Sequence, residues 1–394
     1  MKYMPIVMPE NIDKYFYNRN HELKILNANL AMLEDGIPNQ FLITGNRGIG
    51  KTSLLKKLLK NQPDMFLTTY IDLSDIYGRQ KGKLSEEEVI KEFLCLIEES
   101  IDKNTNTFKN AREKLFNTFN QLKLKNYNFN NSNLRDLPIP IIEDNYNKLS
   151  KYVMELPQKI VDSIEEIKGF IIVVDEFQLL KTLENPEAFF WLIRSYAQKQ
   201  YNVSYIFTGS VSNTSEIIGM INGQTGAFGG RMFQLNINEF SKEQTKNYID
   251  EKSNNIKFSE EGFERFYKCT RGIPSYINSF CNILPNNMVC TNEIIKESFK
   301  LNIDNIALLW LSVWGTLTDM EKELIILFVE KGEMDWTTIL NNVTYSKVTL
   351  TKYLDILSNK GIIEYSADGK YYLSDIMLKR WLEIKHETRG RYPQ

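Results

Sequence analysis

Five short runs of mostly apolar residues in the first part of the chain predict β-strands. They cover residues 40–44, 65–72, 170–175, 203–209 and 232–237. The third run is continuously apolar up to its final acid, as expected of a strand that is covered on both faces. Patterns with a helical period separate the runs, for example at residues 87–99 and 187–198. Strands that alternate with helices predict a parallel sheet in an α/β domain.

After residue 238 the strand pattern stops, and residues 241–300 predict several short helices. A third pattern begins at Thr318, a residue type that caps helices. It predicts helices at residues 319–331, 336–341 and 345–360, and then two strands within 361–373 that are joined by an Asp-Gly turn. Three helices followed by a hairpin are typical of a winged helix.

These changes of pattern divide the chain of 394 residues into three predicted parts. The α/β core takes residues 1–238, a helical part takes 239–305, and the winged helix takes 306–394. Within the core, residues 103–147 are rich in Asn and Lys, and their apolar positions are sparse and irregular. We therefore expect this stretch to be an insertion on the surface of the core.

A glycine-rich segment follows the first strand and opens the next helix. Its residues are Gly45, Asn46, Arg47, Gly48, Ile49, Gly50, Lys51, Thr52 and Ser53. They fit the pattern G-x-x-x-x-G-K-[ST] in the strand–loop–helix context that makes this pattern a phosphate site. The glycines let backbone N–H groups turn toward phosphate oxygens, and the helix adds its positive dipole end. Lys51 would then reach the β- and γ-phosphates, and the Thr52 hydroxyl would ligate Mg²⁺.

The third strand ends in the acid pair Asp175-Glu176, which supplies the second half of a triphosphate site. A carboxylate at the end of a strand can hold Mg²⁺, and Glu176 is placed to orient or deprotonate an attacking water. The fourth strand ends in Thr208-Gly209-Ser210, and either hydroxyl could sense the γ-phosphate. The alternatives are an acidic pair that ends a strand at the surface and ordinary polarity at a strand end.

Arg231 follows the glycine-rich stretch 223–230 and precedes the fifth strand. An arginine there could stabilise the charge that develops on a transferred phosphoryl group, from the same subunit or from a neighbour. The alternative is an arginine with a surface or structural role.

Charge and composition exclude some classes of protein. The net charge is −2, so no polyanion-binding surface is indicated. The four cysteines have no metal-ligand spacing, and we expect them to be reduced. No apolar run approaches the length of a membrane span. We therefore expect a cytoplasmic protein that has no membrane partner.

The chain resembles the archaeal-type ATPase family, which belongs with the STAND and AAA+ P-loop NTPases. The matching segments are residues 18–23, the phosphate loop 45–52, Asp175-Glu176, Gly209-Ser210, Gly230-Arg231, Gly272-Ile273-Pro274, Ser374-Asp375 and Trp381. The resemblance implies an ATP-binding core, a helical lid and a C-terminal winged helix. It also implies that Arg19 lies near the nucleotide and that Pro274 packs on the adenine.

The sequence departs from the family pattern at two places. Asn18 stands where glycine is common. No arginine follows Pro274 at the usual lid position, where Ser275 and Tyr276 stand instead. The missing lid arginine argues against fast turnover and favours a slow switch.

The resulting hypothesis is an ATP-hydrolysing switch that uses ATP and Mg²⁺. Lys51 and Thr52 hold the phosphates and the metal, Asp175 supports the metal, Glu176 activates water, and Arg231 completes the site. One alternative is a nucleotide-regulated DNA-binding protein that reads DNA with the helix at 345–360. Its Lys347, Lys352 and Lys360 favour DNA, but residues 301–394 hold 13 acidic and 11 basic side chains. A second alternative is an ATP-binding scaffold with little turnover. The downstream partner is an unidentified protein, and oligomerisation is left open.

Overall fold

The computed structural model describes residues 4–6, 9–104, 128–130, 139–141, 146–210, 216–253, 255–286, 288–366 and 368–394. Most of the predicted insertion at 103–147 lies outside the described residues. Within it, Asn128–Asn130 (β3) and Ile139–Ile141 (β4) pair as a short antiparallel ladder.

The core of the structure is a parallel sheet of five strands. The strands are Phe41–Thr44 (β1), Phe66–Asp72 (β2), Gly169–Asp175 (β5), Val203–Thr208 (β6) and Phe233–Asn236 (β7). Their order across the sheet is β2-β5-β6-β1-β7, and all neighbouring pairs are parallel. The five strands predicted from the sequence are therefore confirmed, and so is the α/β fold.

The register of the sheet brings the ends of three strands to one edge. Thr208 lies opposite Asp175 on one side and opposite Ile43 on the other. The phosphate loop begins at Gly45, directly after β1 and two residues beyond this level. The loop, the acid pair and the end of β6 consequently meet at the carboxyl edge of the sheet, where ligands bind in open α/β folds.

Helices cover both faces of this sheet, and alternate residues of β5 enter two different apolar clusters. Two 3₁₀ turns, Met32–Asp35 and Phe177–Thr182, accompany them. The helices of the core are Ile12–Tyr15 (α1), Asn20–Ala31 (α2), Lys51–Lys60 (α3), Leu73–Arg79 (α4), Glu86–Asn104 (α5), Tyr146–Ser163 (α6), Pro186–Ala197 (α7) and Glu216–Asn222 (α8).

The part after the sheet is mostly helical, as predicted. Its helices are Lys242–Lys252 (α9), Glu260–Thr270 (α10), Pro274–Cys281 (α11), Asn292–Leu301 (α12), Ile303–Ile306 (α13) and Leu308–Trp314 (α14). The prediction that strands stop at residue 238 was wrong, because Lys257–Phe258 (β8) and Val289–Cys290 (β9) form a parallel pair. Strands of two residues carry no readable alternation, so the pattern could not indicate them.

The C-terminal elements follow the predicted order of three helices and a hairpin. They are Asp319–Lys331 (α15), Trp336–Leu340 (α16), Lys347–Asn359 (α17), Ile363–Tyr365 (β11) and Lys370–Leu373 (β12). Thr318 and Glu321 form a reciprocal capping box at the start of α15, as the sequence indicated. Helix α17 begins two residues later than predicted because Ser346 is its N-cap. The short strand Met334–Asp335 (β10) joins the hairpin, and Ile376–Arg389 (α18) closes the chain.

One apolar cluster joins the sheet, the helical part and the C-terminal elements. It runs from Ile171 and Val173 on β5 through Phe280 to Trp381. The three parts are consequently packed around a shared core. In the part of the chain that the structure describes, no helix is both long and apolar enough to cross a membrane.

Candidate functional site

The phosphate loop has the backbone shape that its glycines permit. Gly48 has φ of +76°, a conformation that side chains rarely adopt. A Cβ at Gly45 would lie 2.6 Å from the carbonyl oxygen of Ile237, and one at Gly48 would lie 2.1 Å from Ser275 Oγ. Side chains at both positions are therefore excluded by close neighbours. Helix α3 begins at Lys51, directly after the loop, so its N-terminus points at the loop's concave side.

Lys51 is the cation of this loop and is almost completely buried. Its Nζ donates hydrogen bonds to the carbonyl oxygens of Gly45 (2.9 Å) and Asn46 (3.0 Å) and to Ser210 Oγ (3.0 Å). Burial lowers the pKa of Lys51 to about 8, although Glu176 and Asp175 act in the opposite direction. The ammonium group is thus held between the loop and the end of β6, where phosphate oxygens could replace its present acceptors.

Oxygen atoms suited to a magnesium ion lie next to this lysine. Thr52 Oγ1 donates to Asp175 Oδ2 at 3.0 Å, and the Tyr70 hydroxyl donates to the same carboxylate oxygen. A hydroxyl and a carboxylate beside a phosphate loop are the hard oxygen ligands that Mg²⁺ prefers. Neither this site nor the rest of the described residues contains a cluster of three or more His, Cys, Asp or Glu that could hold a metal without other ligands. The donor set at Thr52 and Asp175 therefore fits the predicted metal.

Glu176 follows the strand in a left-handed conformation, with φ of 54°. Its backbone N–H donates to Asp175 Oδ1 at 2.8 Å, and its Oε2 accepts a hydrogen bond from the side-chain amide of Gln178. Burial raises the pKa of Glu176, and the negative charge of Asp175 raises it further. A carboxyl group with a raised pKa at the edge of a triphosphate site has the chemistry of a general base.

The loop, the lid helix α11 and the N-terminal segment enclose a cavity of about 280 Å³. Pro274 begins α11 and lines this cavity, and the N–H of Ser275 donates to the carbonyl oxygen of Gly48 at 3.2 Å. On the N-terminal side, Asn282 binds the backbone N–H and carbonyl of Met4 at 2.7 and 2.8 Å. The cavity is consequently closed by segments that are far apart in sequence.

Arg19 lies in the wall of the same cavity and is buried. Its guanidinium donates to the carbonyl oxygen of Asn238 at 2.6 Å, pairs with Glu22 at 3.3 Å, and stacks over the Phe240 ring at 4.9 Å. Burial lowers the pKa of Arg19. The side chain thus ties the entry segment to the chain that leaves the sheet, next to the space for a nucleotide.

The structure brings most of the predicted site residues together. The cavity is lined by Arg19, Arg47, Gly48, Ile49, Gly50, Lys51, Thr52, Ser53, Glu176, Ser210 and Pro274. Gly45 and Asn46 join it through their bonds to Lys51, and Asp175 joins it through Thr52. Arg231 is not in this group. It is exposed at the amino end of β7, and the pairing of Phe233 with Phe41 puts it at the opposite edge of the sheet.

Sequence reasoning missed several residues that contact the site. Tyr70 reaches Asp175 from the neighbouring strand, and Gln178 holds Glu176 from two residues away. Gln178 could have been identified from the sequence, because it stands only two residues after the acid pair. For Tyr70 no local signal existed, because the contact depends on β2 lying beside β5.

The fold and the site together define a P-loop NTPase. Residues 16–280 match the model of a family described as an ATPase domain predominantly from Archaea. The chain therefore belongs to this archaeal ATPase family, as its sequence resemblance indicated, and it is an ATPase.

The chain is also similar to several solved structures, of which the first supports the same fold. The Walker-type ATPase of Pyrococcus abyssi is 18% identical, with a TM-score of 0.61 over 93% of this chain and 96% of that one. The Aeropyrum pernix ORC1 protein in complex with DNA is 12% identical over 98% and 97% of the two chains, with a TM-score of 0.48. Thermotoga maritima RuvB is 12% identical over 95% and 98%, with a TM-score of 0.44. No curated protein matched the sequence.

Proposed function

We propose that this ATPase is a nucleotide-dependent molecular switch. Lys51 binds the phosphates, Thr52 and Asp175 hold Mg²⁺, and Glu176 accepts a proton from the attacking water. When bound, Mg²⁺ would neutralise charge on the β- and γ-phosphates. The observation that carries the proposal is that the C-terminal elements pack against Ser210, which contacts Lys51, and against the 3₁₀ turn that follows Glu176.

The first of these contacts lies at Gly361, directly after α17. A Cβ on Gly361 would lie 2.7 Å from the carbonyl oxygen of Ser210, whose side chain accepts a bond from Lys51. Helix α17 also packs beside the 3₁₀ turn Phe177–Thr182, which follows Glu176. A structural change at the γ-phosphate would consequently be transmitted to the C-terminal elements through these two contacts.

A buried hydrogen-bonded group links the lid helix to the same elements. The Tyr276 hydroxyl donates to Asp375 Oδ2 at 2.6 Å and accepts from Trp310 Nε1 at 2.7 Å. Asp375 also caps helix α18. We assign residues 306–394 to a winged-helix module on the order of its elements, residues 239–305 to the lid, and residues 1–238 to the core. Relative motion of the module and the core is the proposed output.

For Arg231 we propose a role across a subunit boundary. The residue is exposed at the sheet edge opposite Lys51, so it suits the site of a neighbouring copy rather than its own. Sizing the protein with and without a non-hydrolysable ATP analogue tests this role. Association that appears only with the analogue, and that Arg231→Ala weakens, is the expected result. A monomer under both conditions would remove the role.

The switch itself is tested with two variants and two measurements. Lys51→Ala should abolish ATP binding in calorimetry, and Glu176→Gln should bind ATP but release no phosphate. Absence of turnover in the unmutated protein would favour an ATP-binding scaffold over a switch.

We also propose a cytoplasmic location, because all four cysteines are free thiols.

A second candidate function is nucleotide-regulated DNA binding. One side of α17 is exposed and carries Lys347, Val348, Thr351, Lys352 and the acidic Asp355 around an open groove of about 730 Å³. A basic helix face of this kind can enter a major groove. Replacing Lys347 and Lys352 by Ala should then abolish a salt-dependent shift of duplex DNA. A shift that is absent from the wild type, or unchanged in the variant, would remove this candidate.

A further inference from the structure

One buried oxygen atom near the candidate site has no hydrogen-bond partner in the part of the chain that the structure describes. Gln178 lies in the 3₁₀ turn Phe177–Thr182, and its amide nitrogen donates to Glu176 Oε2. Its amide oxygen, Oε1, is buried and has no hydrogen-bond partner among the described residues. Buried polar atoms are nearly always paired with protein or with water, so an unpaired one indicates a site for water or ligand.

The surroundings place this oxygen where β5 and β6 end. A Cβ at Gly209 would lie 2.2 Å from Gln178 Oε1, so the glycine leaves the space that the amide occupies. The next residue, Ser210, accepts the hydrogen bond of Lys51. Thr208 Oγ1, opposite Asp175 in the register, is also buried without a partner in the described part of the chain. Two unpaired polar atoms thus lie where β5 and β6 end, directly before Ser210, which lines the cavity.

We propose that Gln178 is a catalytic residue that holds the attacking water. This inference rests on the proposed hydrolysis at Lys51 and Glu176. The amide nitrogen holds the Glu176 carboxylate in place. The free amide oxygen accepts a hydrogen bond from one O–H group of the water. Glu176 accepts a hydrogen bond from the other O–H group, so a lone pair of the water oxygen is directed at the phosphorus.

The reaction step is then balanced without any further reactant. The water oxygen forms a bond to the γ-phosphorus as the bond from that phosphorus to the β,γ-bridging oxygen breaks. The electron pair of the broken bond leaves with ADP. The water's proton passes to Glu176 and then to solvent, and inorganic phosphate is released.

The test compares three variants in the full-length chain. Gln178→Leu removes both the hydrogen-bond donor and the acceptor and keeps a side chain of similar volume. Thr182→Val changes the same 3₁₀ turn at a hydroxyl that, among the described residues, bonds to Leu179 and Leu84, so it is the matched control for packing. Glu176→Gln reports on the proposed hydrolysis itself.

We expect Gln178→Leu to lower kcat by about 100-fold, the usual effect of losing one group that orients the reacting atoms. KM and the affinity for a non-hydrolysable ATP analogue should stay within about twofold, while the affinity for ADP with aluminium fluoride should fall. This complex mimics the transition state and includes the water. Thr182→Val should leave all of these values near those of the wild type.

Two kinds of result would overturn this inference and leave the proposed function in place. One is a kcat of Gln178→Leu within about twofold of the wild type while Glu176→Gln is inactive. The other is an equal loss of affinity for the ATP analogue and for ADP with aluminium fluoride, or an equal loss in Thr182→Val, because either would indicate a structural role. A wild-type rate in Glu176→Gln would instead remove the proposed function, and this inference with it.

Discussion

Replacing Gly361 by alanine should loosen the C-terminal elements from the ATP site. Gly361 has φ of +65° and lies against the carbonyl oxygen of Ser210. Alanine introduces two penalties there, one in the backbone conformation and one in the contact. Only the penalty from the contact reports on the connection between the C-terminal elements and Ser210. The experiment must therefore distinguish this penalty from the backbone penalty.

The structure provides the size of the perturbation. The new Cβ would lie 2.7 Å from the carbonyl oxygen, whereas ordinary van der Waals contact begins at 3.4 Å, so the two segments must separate by about 0.7 Å. Overpacking of this kind costs about 1–3 kcal/mol, and the left-handed conformation adds about 1–2 kcal/mol for a residue with a Cβ. Gly390→Ala is the matched control, because Gly390 has φ of +68° and a Cβ there meets nothing within 4 Å.

Hydrogen exchange measures the two variants side by side. In Gly361→Ala the contact alone should make the amides of α17, β11 and β12 exchange about 5–150 times faster, which corresponds to a loss of 1–3 kcal/mol, and this factor multiplies that of the backbone penalty. Gly390→Ala should leave those amides nearly unchanged, with faster exchange confined to the end of α18. An increase near Gly361 no larger than the increase that Gly390→Ala produces at the end of α18 would refute the reasoning, because the backbone penalty would then explain it and the contact with Ser210 would contribute nothing.

Three further predictions concern buried polar groups. Tyr276→Phe should lower the free energy of unfolding by about 1–3 kcal/mol in urea titrations, because it leaves the buried carboxylate of Asp375 without one donor; an unchanged midpoint would contradict this. Burial raises the pKa of Asp375 above its ordinary value of 3.8, so the folded protein keeps that proton where the unfolded chain has lost it. Its stabilising contribution is therefore lost as the pH rises from about 4, and Asp375→Asn should flatten the pH dependence of the urea midpoint; an equally steep dependence in the variant would exclude this carboxyl as the source. Asn282→Ala removes both bonds to the backbone of Met4, which directly precedes the cavity-lining residues Pro5 and Ile6, so a fluorescent ADP analogue should dissociate about 5–20 times faster in stopped flow; Asn29→Ala, on helix α2, should leave that rate unchanged.

The sequence alone determined the elements that depend on neighbouring residues. The phosphate loop could be predicted because Gly45, Lys51 and Thr52 belong to one turn, whose chemistry and backbone are set by adjacent positions. The acid pair followed because a continuous apolar run identifies a covered strand and thus its end. Capping at Thr318 was equally local, since the box closes within four residues.

Only the tertiary structure decided how these elements meet. Strand order put Tyr70 beside Asp175, and packing of the C-terminal elements put Gly361 against Ser210. It also put Arg231 at the sheet edge opposite Lys51, although both belong to the same family pattern. Contacts of this kind join residues tens to hundreds of positions apart, and they form because buried faces and polar groups find partners across the fold. Local periodicity records which face of an element is buried, and it carries no information on what that face will touch.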